Sequence, residues 1–247
     1  MARATLLRRL TWQLATVAAV VDETPRVRTI ELAVPQWPDH RAGQHVDVRL
    51  TAEDGYRAAR SYSIASAPGE PVAITVERLE DGEVSPYLTE VVRAGDEFEI
   101  RGPIGGYFVW RPGDGGPLFL AAGGSGVVPL RAILRHRRLT GTDVPTKLLY
   151  SARSLDEVIY RAELAEPDRG LEVIQTLTRS QPADWTGYAR RVDAEVLHQV
   201  AWPAEANPLA FVCGPTSFVE AVASGLVDLG YAPRRVKTER FGATGER

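Results

Sequence analysis

The chain of 247 residues has a single cysteine, Cys213. No disulfide framework, cysteine-based zinc site or four-cysteine iron–sulfur cluster can be built within it, so no metal site is expected. Any one-electron iron–sulfur carrier is therefore expected on another protein. No stretch approaches the ~20 apolar residues of a membrane span, and no membrane span is expected. A basic excess is also lacking: 29 Lys and Arg stand against 32 Asp and Glu, for a net charge of −3. That argues against a general nucleic-acid binder. The apolar run 15–21, preceded by Arg3, Arg8 and Arg9, is short, Val-rich and continuous with strand-like sequence, unlike a secretory leader. The expectation is a soluble cytoplasmic protein. No internal repeat or low-complexity tract is visible.

What remains is an ordinary globular composition, 44% hydrophobic and 25% charged, with length for one large domain or two modest ones. Short β-rich segments occupy 13–21, 27–34, 45–50, 72–77 and 97–100. Turn signals such as Asp54-Gly55, Pro68-Gly69 and Asp81-Gly82 separate them, a spacing that predicts a small antiparallel barrel. One short helix is expected over 85–93, with Leu88, Val91 and Val92 as its buried face. Five Gly or Pro residues within 111–117 mark a linker. Beyond it, apolar runs at 117–121, 147–151, 171–177 and 209–213 alternate with helical patterns at 128–138, 157–165, 194–200 and 216–229. Such alternation predicts a parallel sheet covered on both faces. The organisation is therefore an N-terminal antiparallel β-barrel over 1–112, followed by an α/β parallel-sheet nucleotide-binding domain over 113–247.

Three segments carry recognisable chemistry. Phe119-Leu120-Ala121-Ala122-Gly123-Gly124-Ser125-Gly126 is a strand, a glycine-rich turn and a helix start, which lets backbone amides and a helix N-terminus approach a diphosphate. It departs from G-x-G-x-x-G, and alone it is equally a plain strand-to-helix turn. Cys213-Gly214-Pro215 closes a later apolar strand, so both loops should share the rim where open α/β sheets bind ligands. Standing alone, Cys213 also reads as a small buried hydrophobe. In the barrel, Arg60-Ser61-Tyr62-Ser63-Ile64-Ala65-Ser66 offers a guanidinium, an aromatic face and hydroxyls on one extended segment. Alternation puts Arg60 and Tyr62 on one face, with Ser61 and Ser63 on the other. A planar anionic ligand suits that set, though a solvated strand edge would carry it too.

With Gly82-Glu83-Val84-Ser85 and Glu239-Arg240-Phe241 added, five motifs in order resemble the ferredoxin–NADP reductase superfamily from near Gln13 onward. The resemblance implies an FAD-containing oxidoreductase that takes a hydride from NADPH. It implies that Arg60 pairs with the FAD diphosphate, Tyr62 flanks the isoalloxazine and Ser63 faces its N5. Ser61, Ser66, Val76 and Arg78 would lie along the flavin, with a solvated strand charge an equal reading for Arg78. Gly82, Val84 and Ser85 would hold the diphosphate, favouring FAD over FMN; Ser85 also reads as a helix cap ahead of Pro86. Gly102-Pro103-Ile104-Gly105-Gly106-Tyr107-Phe108 matches the loop beside flavin and nicotinamide. Gly124, Ser125, Gly126, Gly214 and Pro215 would hold the nicotinamide nucleotide. Ser63, Cys213 and Glu239 would form the polar set at the reacting rings, with Phe241 stacked on the flavin. Cys213 is not expected to act as a nucleophile. The tail 242–247, absent after that aromatic in plant-type members, would fold over the adenine side of FAD or hang loose.

Arg153 and Arg179 stand beside hydroxyl residues after the second and third strands of the α/β unit, matching positions where NADP-dependent members hold the 2′-phosphate. Tyr188 would stack on adenine or support that phosphate. NADPH is thus expected over NADH. The electrons would leave for a separate ferredoxin, flavodoxin or oxygenase component, and the arginines of 131–138 offer a docking patch or a solvated helix face. A free-flavin or ferric reductase, or a non-catalytic flavin- or nucleotide-binding regulatory subunit, are the competing readings.

Overall fold

The structure, a computed structural model, describes residues 10–241. Arg3, Arg8, Arg9 and the tail 242–247 lie outside the described residues. Six antiparallel strands come first: β1 (Gln13–Thr24), β2 (Val27–Ala33), β3 (His45–Thr51), β4 (Arg57–Ser63), β5 (Val72–Glu77) and β6 (Glu97–Ile104). They pair in the order β4-β3-β6-β1-β2-β5. An antiparallel bridge between Ile64 and Ile74 joins the two ends of that order, which closes the sheet into a barrel. Ile30, Val46, Val48, Ile64, Ile74, Val76, Leu88 and Ile100 fill it and are fully buried.

Five parallel strands follow: β7 (Leu118–Gly123), β8 (Thr146–Ala152), β9 (Leu171–Leu177), β10 (Leu209–Pro215) and β11 (Val236–Phe241). Their order is β11-β10-β7-β8-β9. Four helices cover them: α1 (Val127–Leu139), α2 (Arg161–Ala165), α3 (Ala194–Val200) and α4 (Thr216–Asp228). The central strands β7 and β10 are apolar on both faces, and successive residues divide between two cores. Phe119, Ala121, Ala210 and Val212 pack with α3 and α4. Leu118, Leu120, Phe211 and Cys213 pack with α1, in a cluster that continues into barrel residues Val27, Ala65 and Ala73. One face of the parallel sheet therefore looks toward the barrel. The expected two-part architecture is the one observed.

The expected linker is a short turn, Pro112–Asp114, capped by a hydrogen bond from the Arg111 N–H to Asp114 Oδ2 (2.9 Å). Arg235 donates to the carbonyl of Gly115 (2.6 Å) and fastens this turn to the second sheet.

Two helices differ from expectation. The segment expected as a helix over 85–93 is instead centred on a π-helical turn, Tyr87–Val91, closed by Val92 N–H to the Tyr87 carbonyl (3.1 Å). The widened turn rotates Val91 into solvent (52% exposed) while Leu88 and Val92 stay buried. The helix expected from 157 begins only at Arg161, because Val158, Ile159 and Tyr160 are drawn into the core instead. Tyr160 takes a left-handed backbone (φ 58°), which reverses the chain at a cost of about 1–2 kcal/mol for a side chain of this bulk. Strand β11, with no apolar run, was not expected.

The π turn gives a direct check. Leu88→Ala should lose about 2–5 kcal/mol in urea unfolding, whereas Val91→Ala should change stability by less than about 0.5 kcal/mol.

Candidate active site

Glycine decides how the two central loops of the parallel sheet meet. The turn Gly124–Gly126 follows β7, with Gly124 at φ 54°. A Cβ on Gly126 would lie 2.1 Å from the carbonyl oxygen of Cys213, and one on Gly214 would lie 2.9 Å from that of Gly123. Only bare backbone allows this approach. It sets Gly124, Ser125, Gly126, Cys213, Gly214 and Pro215 on one rim, where helices α1 and α4 begin. Register then places Glu239 of β11 beside Cys213 and Phe241 beside Pro215. Alternation puts Cys213, Glu239 and Phe241 on the face toward the barrel. Phe241 packs partly buried against that shared core.

Cys213 is fully buried, and burial first, the nearby Glu239 second, push its thiol well above the usual range. Burial of this kind favours the protonated thiol, which is a poor nucleophile. Burial likewise pushes the Glu239 carboxyl up to about 7, and Glu239 Oε2 has no hydrogen-bond partner.

On the barrel, β4 pairs with β3 in unbroken register, Tyr62 opposite Val46 and Ser63 opposite His45. The expected alternation holds, but the two serines differ. Ser61 is exposed and donates to Asp47 Oδ1 (2.7 Å). Ser63 is buried, and its Oγ has no partner. It stands two residues before Ala65, which belongs to the cluster shared with the parallel sheet. Tyr62 lies half-buried against the barrel core, its phenol pushed up by burial.

Arg60 is exposed, and its guanidinium donates to Glu83 Oε2 (2.6 Å). Tyr56 OH donates to the other oxygen of the same carboxylate (2.6 Å). Glu83 belongs to the turn expected to hold phosphate, so the turn's own carboxylate sits on the phosphate-seeking cation. Ser85 is buried, and its Oγ accepts from the Leu79 N–H (3.1 Å), which leaves its own proton to donate. It does not cap the turn that follows. Gly82 needs to lack a side chain, because a Cβ there would lie 2.8 Å from Ser85 Oγ. Val84 and Val76 are fully buried, so only their backbone can face a ligand. Ser66 accepts from the Ala73 N–H (3.1 Å) and thereby closes a loop. Arg78 is ion-paired with Glu90 (2.6 Å) and Glu80 (3.2 Å), beside a cavity of about 420 Å3 that Asp22, Arg26 and Arg28 also line.

The N–H groups of Arg179 (2.9 Å) and Ser180 (3.2 Å) both donate to the carbonyl of Arg153. Both arginines therefore stand on one stretch of rim, Arg153 half-exposed with Glu157 3.8 Å away. Tyr188 bridges to Thr176 of β9 in parallel, and its OH donates to Gln199 Oε1 (2.8 Å).

Residues 15–109 match the family profile "Oxidoreductase FAD-binding domain" and residues 120–224 match "Oxidoreductase NAD-binding domain". Ferredoxin–NADP reductase B of Sorangium cellulosum is 36% identical over 81% of this chain and 84% of its own. The chain belongs to the ferredoxin–NADP reductase-like family of FAD- and NAD-binding oxidoreductases. The glycine betaine monooxygenase reductase subunit of Chromohalobacter salexigens is 32% identical over 91% of this chain and 63% of its own. The chain thus spans less than two thirds of that relative. The FAD/NAD-binding domain of nitric oxide dioxygenase from Vibrio cholerae superimposes with a TM-score of 0.84 at 25% identity, covering 93% of this chain and 98% of that one.

The residues present fit FAD. Buried polar groups are ordinarily satisfied, yet among the described residues Ser63 Oγ and Glu239 Oε2 are not, nor are Arg26 Nε and Arg78 Nε, and a flavin's polar ring edge is the kind of partner that Ser63 and Glu239 lack. Residues that the motifs did not single out are Tyr56 and Glu83. Glu83 lay inside a quoted motif, but its role depends on a contact with Arg60 across 23 residues.

Glu239 should make stability pH-dependent. Its folded pKa, about 7, lies above the ordinary 4.5, so the folded chain holds the extra proton between those values. Stability from this group is then present below about pH 4.5 and falls as pH rises toward 7. Glu239→Gln removes that loss. Urea unfolding without added flavin should show the variant gaining about 2 kcal/mol on wild type between pH 5 and pH 8; a gain independent of pH would refute the raised carboxyl.

Proposed function

We propose that this chain is an FAD-dependent reductase that oxidises NADPH and hands electrons one at a time to a separate protein, such as an oxygenase component, a ferredoxin or a flavodoxin. The observation that carries the reading is that, of the four buried side-chain atoms without a partner among the described residues, Ser63 Oγ on the barrel and Glu239 Oε2 beside Cys213 lie toward the core shared by the two halves, whereas Arg26 Nε and Arg78 Nε belong to the cavity beside β2. The names of relatives support the acceptor class, since one is a monooxygenase reductase subunit and another a ferredoxin–NADP reductase.

In this reading residues 1–112 hold the flavin and 113–247 the nucleotide. Bound FAD supplies the conversion of a two-electron hydride donor into single electrons. Arg60 anchors the diphosphate, together with the amides of Val84 and Ser85 and the Ser85 hydroxyl, while Gly82, whose N–H donates to the Leu79 carbonyl (2.9 Å), shapes the turn. Tyr62 and Phe241 would pack against the flavin ring, and Ser63 Oγ would hydrogen-bond its polar edge. Ser61, Ser66, Val76 and Arg78 shape the surrounding strands. Gly124, Ser125, Gly126, Gly214 and Pro215 leave the backbone bare for the nucleotide. Cys213 packs as a small apolar wall, and Glu239 holds a proton at Oε2 near neutral pH. Arg153 and Arg179, with Tyr188 nearby, take the 2′-phosphate.

Anaerobic stopped-flow mixing with NADPH and NADH tests the whole reading. Flavin should bleach faster or at lower concentration with NADPH. Failure to bleach with either leaves a regulatory subunit, and cytochrome reduction unaffected by added ferredoxin leaves a free-flavin or ferric reductase. Replacing both Arg153 and Arg179 by Ala should raise KM for NADPH by about 10- to 100-fold and leave KM for NADH nearly unchanged, because the two contacts with phosphate, screened by solvent at an exposed rim, are together worth roughly 1.4–2.8 kcal/mol.

A further inference from the structure

We propose that Tyr160 is a positioning residue: its phenol, bonded to Thr75 on the barrel strand β5, sets where the nucleotide sheet stands against the flavin barrel. The inference rests on the proposed reductase function, since it concerns how nicotinamide is brought to flavin.

Four observations converge on it. Tyr160 is buried in the left-handed region at φ 58°, where a bulky side chain is a true outlier and must be held by its surroundings. What holds it is a bond across the two halves of the molecule, Tyr160 OH to Thr75 Oγ1 at 2.5 Å, between residues 85 apart in sequence. That bond heads a chain with one direction. Thr29 donates to Glu23 Oε1 (2.6 Å), so the 2.8 Å contact between Thr29 and Thr75 must run from Thr75, and Tyr160 must donate to Thr75. Every hydroxyl in the chain thus has its donor role fixed, ending on a carboxylate.

The brace is also flanked. The Arg131 guanidinium lies over the Tyr160 ring at 4.4 Å and donates to Glu163 (2.7 Å). Arg135 joins Glu70 of the barrel half (2.5 Å) to Glu163 (3.2 Å). Finally, the two ends of the segment matter. The segment 153–160 starts at Arg153, on the rim proposed for the 2′-phosphate, and ends at Tyr160, bonded to Thr75 of strand β5, which runs on through Val76 to Glu77, next to Arg78. A Phe at 160 would keep the ring, its apolar contacts and the guanidinium above it. Only the bond that fixes angle and distance would be lost. Small misplacements of reacting groups are expensive: about 1 Å can cost about 100-fold in rate.

The test compares Tyr160→Phe, Thr75→Val and Thr75→Ser in the full chain with its flavin. Stopped-flow reduction yields a limiting rate constant per bound flavin, which does not depend on how much protein is folded. Tyr160→Phe and Thr75→Val should each lower it at least fivefold, with the apparent Kd for NADPH within twofold of wild type and Thr75→Ser close to wild type. A second readout needs no flavin: amide hydrogen exchange on the flavin-stripped chain should quicken at 72–77 and 153–160 but not in β7 or β10. A fall of less than fivefold in either variant overturns the proposal, as does Thr75→Ser behaving like Thr75→Val. If wild type is not reduced by NADPH or NADH, the reductase reading fails instead, and unchanged exchange at 72–77 and 153–160 then overturns the brace by itself.

Discussion

The contact of Gly126 with the Cys213 carbonyl is the constraint on which the site depends. Two strand ends of the parallel sheet meet there with no room for a Cβ, 2.1 Å from the oxygen if one were present. Because β10 is held to β7 at that point, the strand on its far side is positioned as well. Parallel register carries the constraint outward, from Cys213 to Glu239 and from Pro215 to Phe241. Three side chains of unlike chemistry thus reach one face through backbone geometry alone. A rigid element of this kind holds a site to finer tolerance than a loop could.

Charge is distributed by the same economy of position. The arginines of α1, taken from the sequence alone, suit either a docking patch for an acidic partner or a solvated helix face. Instead Arg131 and Arg135 turn toward Glu163 and Glu70, and Arg137 is buried against Asp168 at 3.0 Å. These cations hold one half of the molecule to the other or brace the far end of the sheet. Of that run only Arg138 is largely outward, with Glu166 and Asp168 near it. A docking patch on α1 is therefore not what the sequence of arginines builds. Arg60 is different: its partner Glu83 is exposed, and an exposed ion pair is weak enough for a diphosphate to compete with it.

Much of this was legible beforehand because it depends on local chemistry. Barrel strands showed through turn residues, the parallel sheet through apolar runs, and the rim through glycines. Strand β11 was not legible, because Val-Lys-Thr-Glu-Arg-Phe has neither an apolar run nor strict alternation; pairing with β10 makes it a strand. The helix expected at 157 failed for a related reason. Val158, Ile159 and Tyr160 suit a helix face, but the Tyr150 hydroxyl accepting from the Ile159 N–H (3.1 Å) and Thr75 accepting from Tyr160 draw them inward. Val91 was misplaced by a π turn that no spacing rule announces. Among the site residues, Ser61 and Ser63 look alike in sequence, and only the tertiary fold separates an exposed hydroxyl bonded to Asp47 from a buried one without a partner.

That separation bears on how such a site should be read. A buried polar atom without a partner costs stability, and folded proteins satisfy nearly all of them. Along β4, β5 and the turn after them, Ser61, Ser66, Ser85 and Thr75 each find a protein partner. Ser63 and Glu239 do not. They sit on opposite halves of the molecule, one beside the cluster that joins the halves, the other on the face turned toward it. Neither can be explained as a defect of its own element, since β4 and β11 are otherwise regularly paired. The same pairing that satisfies both backbones leaves the two side chains without a partner among the described residues, so a polar ligand edge placed between them would offset the cost of burying both.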